Sequence, residues 1–159
     1  MFLPKLHGRP LSILILEDDP SRIRKFRITL QRHQLVVCTT AEAAWNALEN
    51  TPVEAAFEMM FIDHDLDITH YDVPAVVMTD DEKYAQWQRT GTFSVKTGYH
   101  FAQLVAKAIA TNRPHYQVPT VIHSLNPAGS RAINAALPHA MRVPFSELIP
   151  LLTGTHPDA

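Results

Sequence analysis

The chain of 159 residues has one cysteine, Cys38, only five glycines, and little excess of either charge: 14 lysines and arginines against 16 aspartates and glutamates. A lone cysteine forms no internal disulfide, and its place in an apolar run predicts a buried thiol. The resulting net charge of −2 excludes the broad basic footprint that long duplex nucleic acid requires. A local pocket for one phosphate would not register in that sum. No apolar run approaches the ~18 residues of a membrane span. Pro4 and Pro10 interrupt the first stretch, which lacks the apolar core of a secretory signal. These absences predict a cytoplasmic protein with no membrane partner.

What is present suits a single domain, 1–159, with one core: 46% of the residues are hydrophobic and 19% charged. Two acidic clusters close short apolar runs. Residues 11–16 lead into Glu17, Asp18 and Asp19, and residues 59–62 into Asp63, His64 and Asp65. Such runs fit buried parallel strands, and ligands of open α/β sheets collect beyond the carboxyl ends of those strands. Two unit charges about 5 Å apart at an effective dielectric of about 20 repel by roughly 3 kcal/mol. Crowded acids therefore imply a cation, shared protons or outward-turned side chains. A hard divalent metal, Mg²⁺ or Mn²⁺, is the simplest relief.

The other elements follow in alternation. Asp19-Pro20 is a helix start, with a helix expected to about His33 whose inner face is Ile23, Phe26 and Leu30. Arg22, Arg24, Lys25, Arg27 and Arg32 read as its solvated face. A second strand is expected over 35–38, then a helix opened by a capping box of Thr39 and Glu42, with Ala41, Ala44, Trp45 and Leu48 inside. The third strand spans 57–62. From an N-cap at Thr97, the residues Phe101, Leu104, Val105, Ala108 and Ile109 make one helical face. A fourth strand over 120–123 precedes a second Asx-Pro helix start, Asn126-Pro127. A short strand over 140–143 and a helix over 145–152 finish the chain. The order predicts an α/β fold with a doubly wound five-stranded parallel sheet and right-handed crossovers. Residues 66–96 form an insertion after strand 3, far longer than the usual connection of about two to six residues. A lid or binding loop and a packed edge or dimer contact remain open for it.

Taken together, these features resemble the receiver domain of response regulators, which has a flavodoxin-like sheet. LEDDPSRIRKF, beginning at Leu16, is similar to that family's acidic turn and first helix. Asp63 stands at its phospho-accepting position, Ser124 at its hydroxyl position, and VPF at Val143 where receivers carry Lys-Pro-Phe. The resemblance implies that Glu17, Asp18, Asp63 and the backbone carbonyl of Asp65 hold the metal. Val143 replaces the lysine, and Arg142 should point to the opposite side of its strand. His64 and His123 are additions to the receiver site. DHDL at Asp63, TGY at Thr97 and HSLNPAG at His123 resemble a narrower group, the cyclic-phosphate processing receiver-like domains, which implies work on cyclic phosphates of nucleotides or RNA ends.

Opening a cyclic phosphodiester needs charge relief, an activated water and a proton for the leaving oxygen. A metal serves the first two. His64 or His123 is the expected acid or base near neutral pH. The amides of Ala128 and Gly129 open a helix and are candidate anion donors, with Ser124 and Arg131 as further phosphate contacts. Asp19 reads as a cap, and Asn126 as cap, substrate contact or both. His7, His33, His70, His100, His115, His139 and His156 lack paired ligand spacing and read as surface or structural. Three functions stay open: a metal-dependent phosphoesterase for a cyclic or terminal phosphate of a nucleotide or RNA end, a non-catalytic nucleotide or cyclic-dinucleotide binder, and a degenerate receiver phosphorylated at Asp63. A homodimer is compatible with all three.

Overall fold

The computed structural model describes residue 6, residues 8–66 and residues 97–155. Five parallel strands, β1 (Ser12–Leu16), β2 (Gln34–Cys38), β3 (Met59–Ile62), β4 (Thr120–Ile122) and β5 (Met141–Arg142), lie in the order β2-β1-β3-β4-β5. The helices are α1 (Pro20–Thr29), α2 (Ala41–Glu49), α3 (Gly98–Thr111), α4 (Pro127–Ala136) and α5 (Phe145–Thr153). The doubly wound parallel sheet expected from the alternation is therefore the observed one. The proposed insertion falls, apart from Leu66, outside the described residues. No described helix is long and apolar enough to cross a membrane.

Alternation along the central strands divides the core into two layers. Ile13, Ile15, Met59, Phe61 and Val121 face α1 and α5, where Phe26, Phe145, Leu148 and Leu152 cover them. Leu14, Leu16, Met60, Ile62 and Ile122 face the opposite layer, built from α2, α3 and α4. This phase decides the site. Continued past the strand ends, it sends Glu17, Asp63 and His123 to the α1/α5 side and His64 to the other. Ladder bonds extend one residue beyond the strands and fix these positions: Glu17 N donates to Cys38 O, Asp63 N to Leu16 O, and His123 N to Ile62 O.

Local chemistry starts each helix near the acids. Asp19 caps α1 by accepting from Arg22 N at 2.9 Å, with Pro20 at the first helical position. Asn126 caps α4 by accepting from Gly129 N at 3.0 Å. Thr97 caps α3, and His100 closes a capping box by accepting from Thr97 N through Nδ1, a part more often taken by glutamate or glutamine. Gly98 is required by proximity, since a Cβ there would stand 1.9 Å from the Asp63 carbonyl oxygen. Its own amide donates to His64 O, so the start of α3 clamps the turn that carries Asp63 and His64.

Some boundaries differ from the expected ones. α1 stops at Thr29, with Leu30 as a buried C-cap, rather than running to His33. Thr40, not Thr39, caps α2, accepting from Ala43 N at 3.1 Å. Two adjacent threonines leave this register ambiguous in sequence. Trp45 is half-buried, its ring edge against Tyr116.

Candidate metal and phosphate site

Glu17, Asp18 and Asp63 each offer a carboxylate oxygen, and the three oxygens lie within 4.8 Å of one another. They line an open cleft of about 470 Å³ at the carboxyl end of the sheet, together with Asp19, Arg22, Asp65, Leu66 and Leu125. The cleft sits where β1 and β3 diverge to helices on opposite faces, the switch point at which doubly wound sheets bind ligands.

The two buried acids, Glu17 and Asp63, are held differently. Glu17 is fully buried; its Oε1 accepts the amides of Asp18 at 3.0 Å and Asp19 at 2.9 Å, and its Oε2 accepts His123 Nε2 at 3.0 Å. Burial pushes its carboxyl up, but the His123 hydrogen bond and charge, the backbone donor and Arg22 outweigh it, and the net displacement is downward. Asp63 is 1% exposed, and its Oδ1 is a buried oxygen with no hydrogen-bond partner. Burial raises its carboxyl to about 6, with His123 and Arg22 opposing and Glu17 and Asp65 adding. An orphaned buried carboxylate oxygen costs about 1–3 kcal/mol or more unless something binds it. That atom, with an all-oxygen donor set, fits a hard divalent cation. Glu17 has only Oε2 to share, because Oε1 already accepts two amides.

The two histidines do not converge on this cleft. His123 is completely buried, edge-on to Phe26 at 5.2 Å between ring centroids and near Phe61 and Phe145. It meets the site only through Glu17, and its Nδ1 is unpartnered among those rings. The nitrogen that faces the carboxylate, Nε2, is the one that donates. His64 lies on the other side of the sheet, its Nδ1 2.8 Å from Asp65 Oδ1. Asn126 Nδ2 donates to the same oxygen at 3.1 Å, so the Asp65 side chain is tied to His64 and Asn126. Asp65 is still exposed on the cleft wall, whereas His64 is behind it.

The phosphate contacts read from the sequence are placed otherwise than expected. The Gly129 amide is committed to the Asn126 cap, and a Cβ on Gly129 would lie 2.3 Å from the His64 ring. This glycine makes room for the His64 ring. Ser124 is buried and its Oγ accepts from Asn126 N at 3.1 Å. Ala128 and Arg131 are exposed on α4 and do not line the cleft. Val143 is buried in the core at 1% exposure, and Arg142 is exposed, as strand alternation requires.

Arg22, read from the sequence as part of a solvated face, belongs to the site. Its Nη1 lies 3.6 Å from Glu17 Oε2 and 3.7 Å from Asp63 Oδ2, and its guanidinium stands 5.2 Å from the Phe145 ring centroid. The signal was present: Arg22 occupies the first turn after the acids, where helix geometry turns a side chain back toward the preceding loop.

Comparison with known families returns one described as cyclic-phosphate processing Receiver domain, matching residues 13–139. Among solved structures, the chain is similar to the Mn²⁺-bound response regulator Rcp1, at 15% identity and a TM-score of 0.56 over 91% of both chains. It is also similar to a response regulator from Chloroflexus aurantiacus, at 11% identity and a TM-score of 0.55 over 92% of this chain and 99% of that one. CheY4 of Vibrio cholerae is similar at 13% identity and a TM-score of 0.53, again over 92% and 99%. At such identities these three establish the fold. No curated protein matches.

Proposed function

Because the chain belongs to the cyclic-phosphate processing receiver family across residues 13–139, we propose that it is a metal-dependent phosphoesterase acting on a cyclic or terminal phosphate of a nucleotide or RNA end. The observation that carries this reading is the buried Asp63 Oδ1, unpartnered beside two further carboxylates in an open cleft. Asp18 and Asp63, with the remaining lone pair of Glu17 Oε2, would hold Mg²⁺ or Mn²⁺. When bound, the cation supplies Lewis acidity to a phosphoryl oxygen and to water.

The chain's own groups divide the remaining work. His123 holds the Glu17 carboxylate from behind and acts as a positioning residue. Proton transfer at the cleft wall falls to Asp65, whose Oδ1 is held by His64 and Asn126. Both histidines named as catalytic from the sequence thus work through a carboxylate. His64→Gln should lower turnover by about 10²-fold while leaving metal affinity in place. His123→Gln should weaken metal affinity first.

The test is incubation of the purified protein and Mn²⁺ with a panel of 2′,3′-cyclic and 3′,5′-cyclic nucleotides. Product from one class supports the reading; no turnover with metal binding demonstrated counts against it. One observation favours a second reading, a non-catalytic nucleotide or cyclic-dinucleotide binder: neither imidazole lines the cleft. Calorimetry showing tight binding with no product would select it.

A further inference from the structure

Among the described residues, Arg22 is the cation of the cleft wall, and its contacts are unlike those of a structural counter-ion. Arginine paired with a carboxylate ordinarily closes to about 2.7–2.9 Å and often engages two oxygens. Arg22 instead stands 3.6 Å from Glu17 and 3.7 Å from Asp63, outside hydrogen-bond range of both. Glu17 Oε1 already accepts two backbone amides and Oε2 accepts from His123, so that carboxylate is held in place without a hydrogen bond from the guanidinium.

Two features hold Arg22 there without consuming its donors. The Phe145 ring supports the guanidinium at 5.2 Å, a cation–π contact that leaves the N–H groups directed elsewhere. Its backbone amide is fixed by the Asp19 cap at 2.9 Å. A basic side chain in the first turn opposes the helix macrodipole. An anion bound in front of the helix would reverse that sign. The side chain is 23% exposed, enough for a ligand to reach it.

We propose that Arg22 is the phosphate-binding residue of the cleft, donating its guanidinium N–H groups to non-bridging oxygens of a phosphate or phosphodiester whose opposite side meets the acids and their cation. Guanidinium geometry matches two oxygens of a tetrahedral anion. This assignment rests on reading the cleft as a phosphate site and names the residue that recognises the anion. It gives the role to the first turn of α1, in place of Ala128, Gly129 and Arg131.

Calorimetry of the full chain tests it, with inorganic phosphate as probe, on wild type, Arg22→Gln and Arg22→Lys, each with saturating Mg²⁺, and with a separate Mg²⁺ titration. Arg22→Gln should bind phosphate at least tenfold more weakly than wild type, and Arg22→Lys should recover part of the loss. Mg²⁺ affinity should stay equal or rise in Arg22→Gln, since one cation has left the acids. Unchanged phosphate affinity in Arg22→Gln would overturn the assignment. So would absence of phosphate binding in wild type, or parallel loss of Mg²⁺ and phosphate, the mark of a structural strut. Turnover is not read in this experiment. A domain that binds phosphate through Arg22 and hydrolyses nothing would contradict the esterase reading and leave the Arg22 assignment standing.

Discussion

At Asp63, burial works against a charge that the neighbouring Glu17 already makes costly, and the carboxyl is pushed up to about 6 from an ordinary value of 3.8. The sign of the consequence is fixed by linkage. A folded-state value above the unfolded one means that the native state holds the proton more tightly, so Asp63 destabilises the metal-free fold progressively as pH rises from about 4 to about 6, with a plateau above. Glu17 is displaced downward, and its contribution, present above its unfolded value of 4.5, fades as pH falls. Denaturant unfolding of wild type and Asp63→Asn with chelator present separates the two. The variant should gain relative to wild type through this window, reaching on the order of 2–3 kcal/mol at pH 7. Added Mn²⁺ should stabilise wild type and do little for the variant. A constant difference from pH 4 to pH 8 would contradict the account of Asp63.

At the scale of the elements, two glycines carry the contact between the acidic turn and its helices. Gly98→Ala drives a methyl group into the Asp63 backbone carbonyl, which has no rotamer to escape by, and should cost about 2–3 kcal/mol while disturbing metal binding. Gly129→Ala meets the His64 ring, a movable side chain; about 1–2 kcal/mol is expected, with the loss concentrated in His64 and Asp65. Thermal unfolding and metal titration of both variants check the ordering. Phe26→Ala, which empties the space between Phe61, Phe145 and His123, should cost about 3–5 kcal/mol. The elements themselves were legible because period-2 and period-3.6 apolar patterns and two Asx-Pro starts agree with one another. The early end of α1 was not, since Leu30 stays buried whether it is the last helical residue or its cap.

For the whole molecule, the parallel sheet and the acids at its carboxyl end could be read from sequence because strand order and cluster position are both one-dimensional patterns. Convergence of side chains could not. Asp63 and His64 are neighbours in sequence, yet strand alternation parts them to opposite faces; Glu17 and His123 are 106 positions apart, yet bonded at 3.0 Å. Arg22 looked like one of five basic residues on a solvated face until α1 was docked on one face of the sheet with its first turn beside the acids. His100 likewise emerged as a buried cap only once α3 was docked. The acids are proposed to hold a divalent cation in a cleft that acts on cyclic phosphates. Phosphorus NMR of a 2′,3′-cyclic nucleotide with the Mg²⁺-loaded protein tests it most directly. The cyclic resonance should give way to that of a monoester with wild type and persist with Asp63→Asn. A cyclic resonance unchanged by wild type, with Mg²⁺ demonstrably bound, would contradict it.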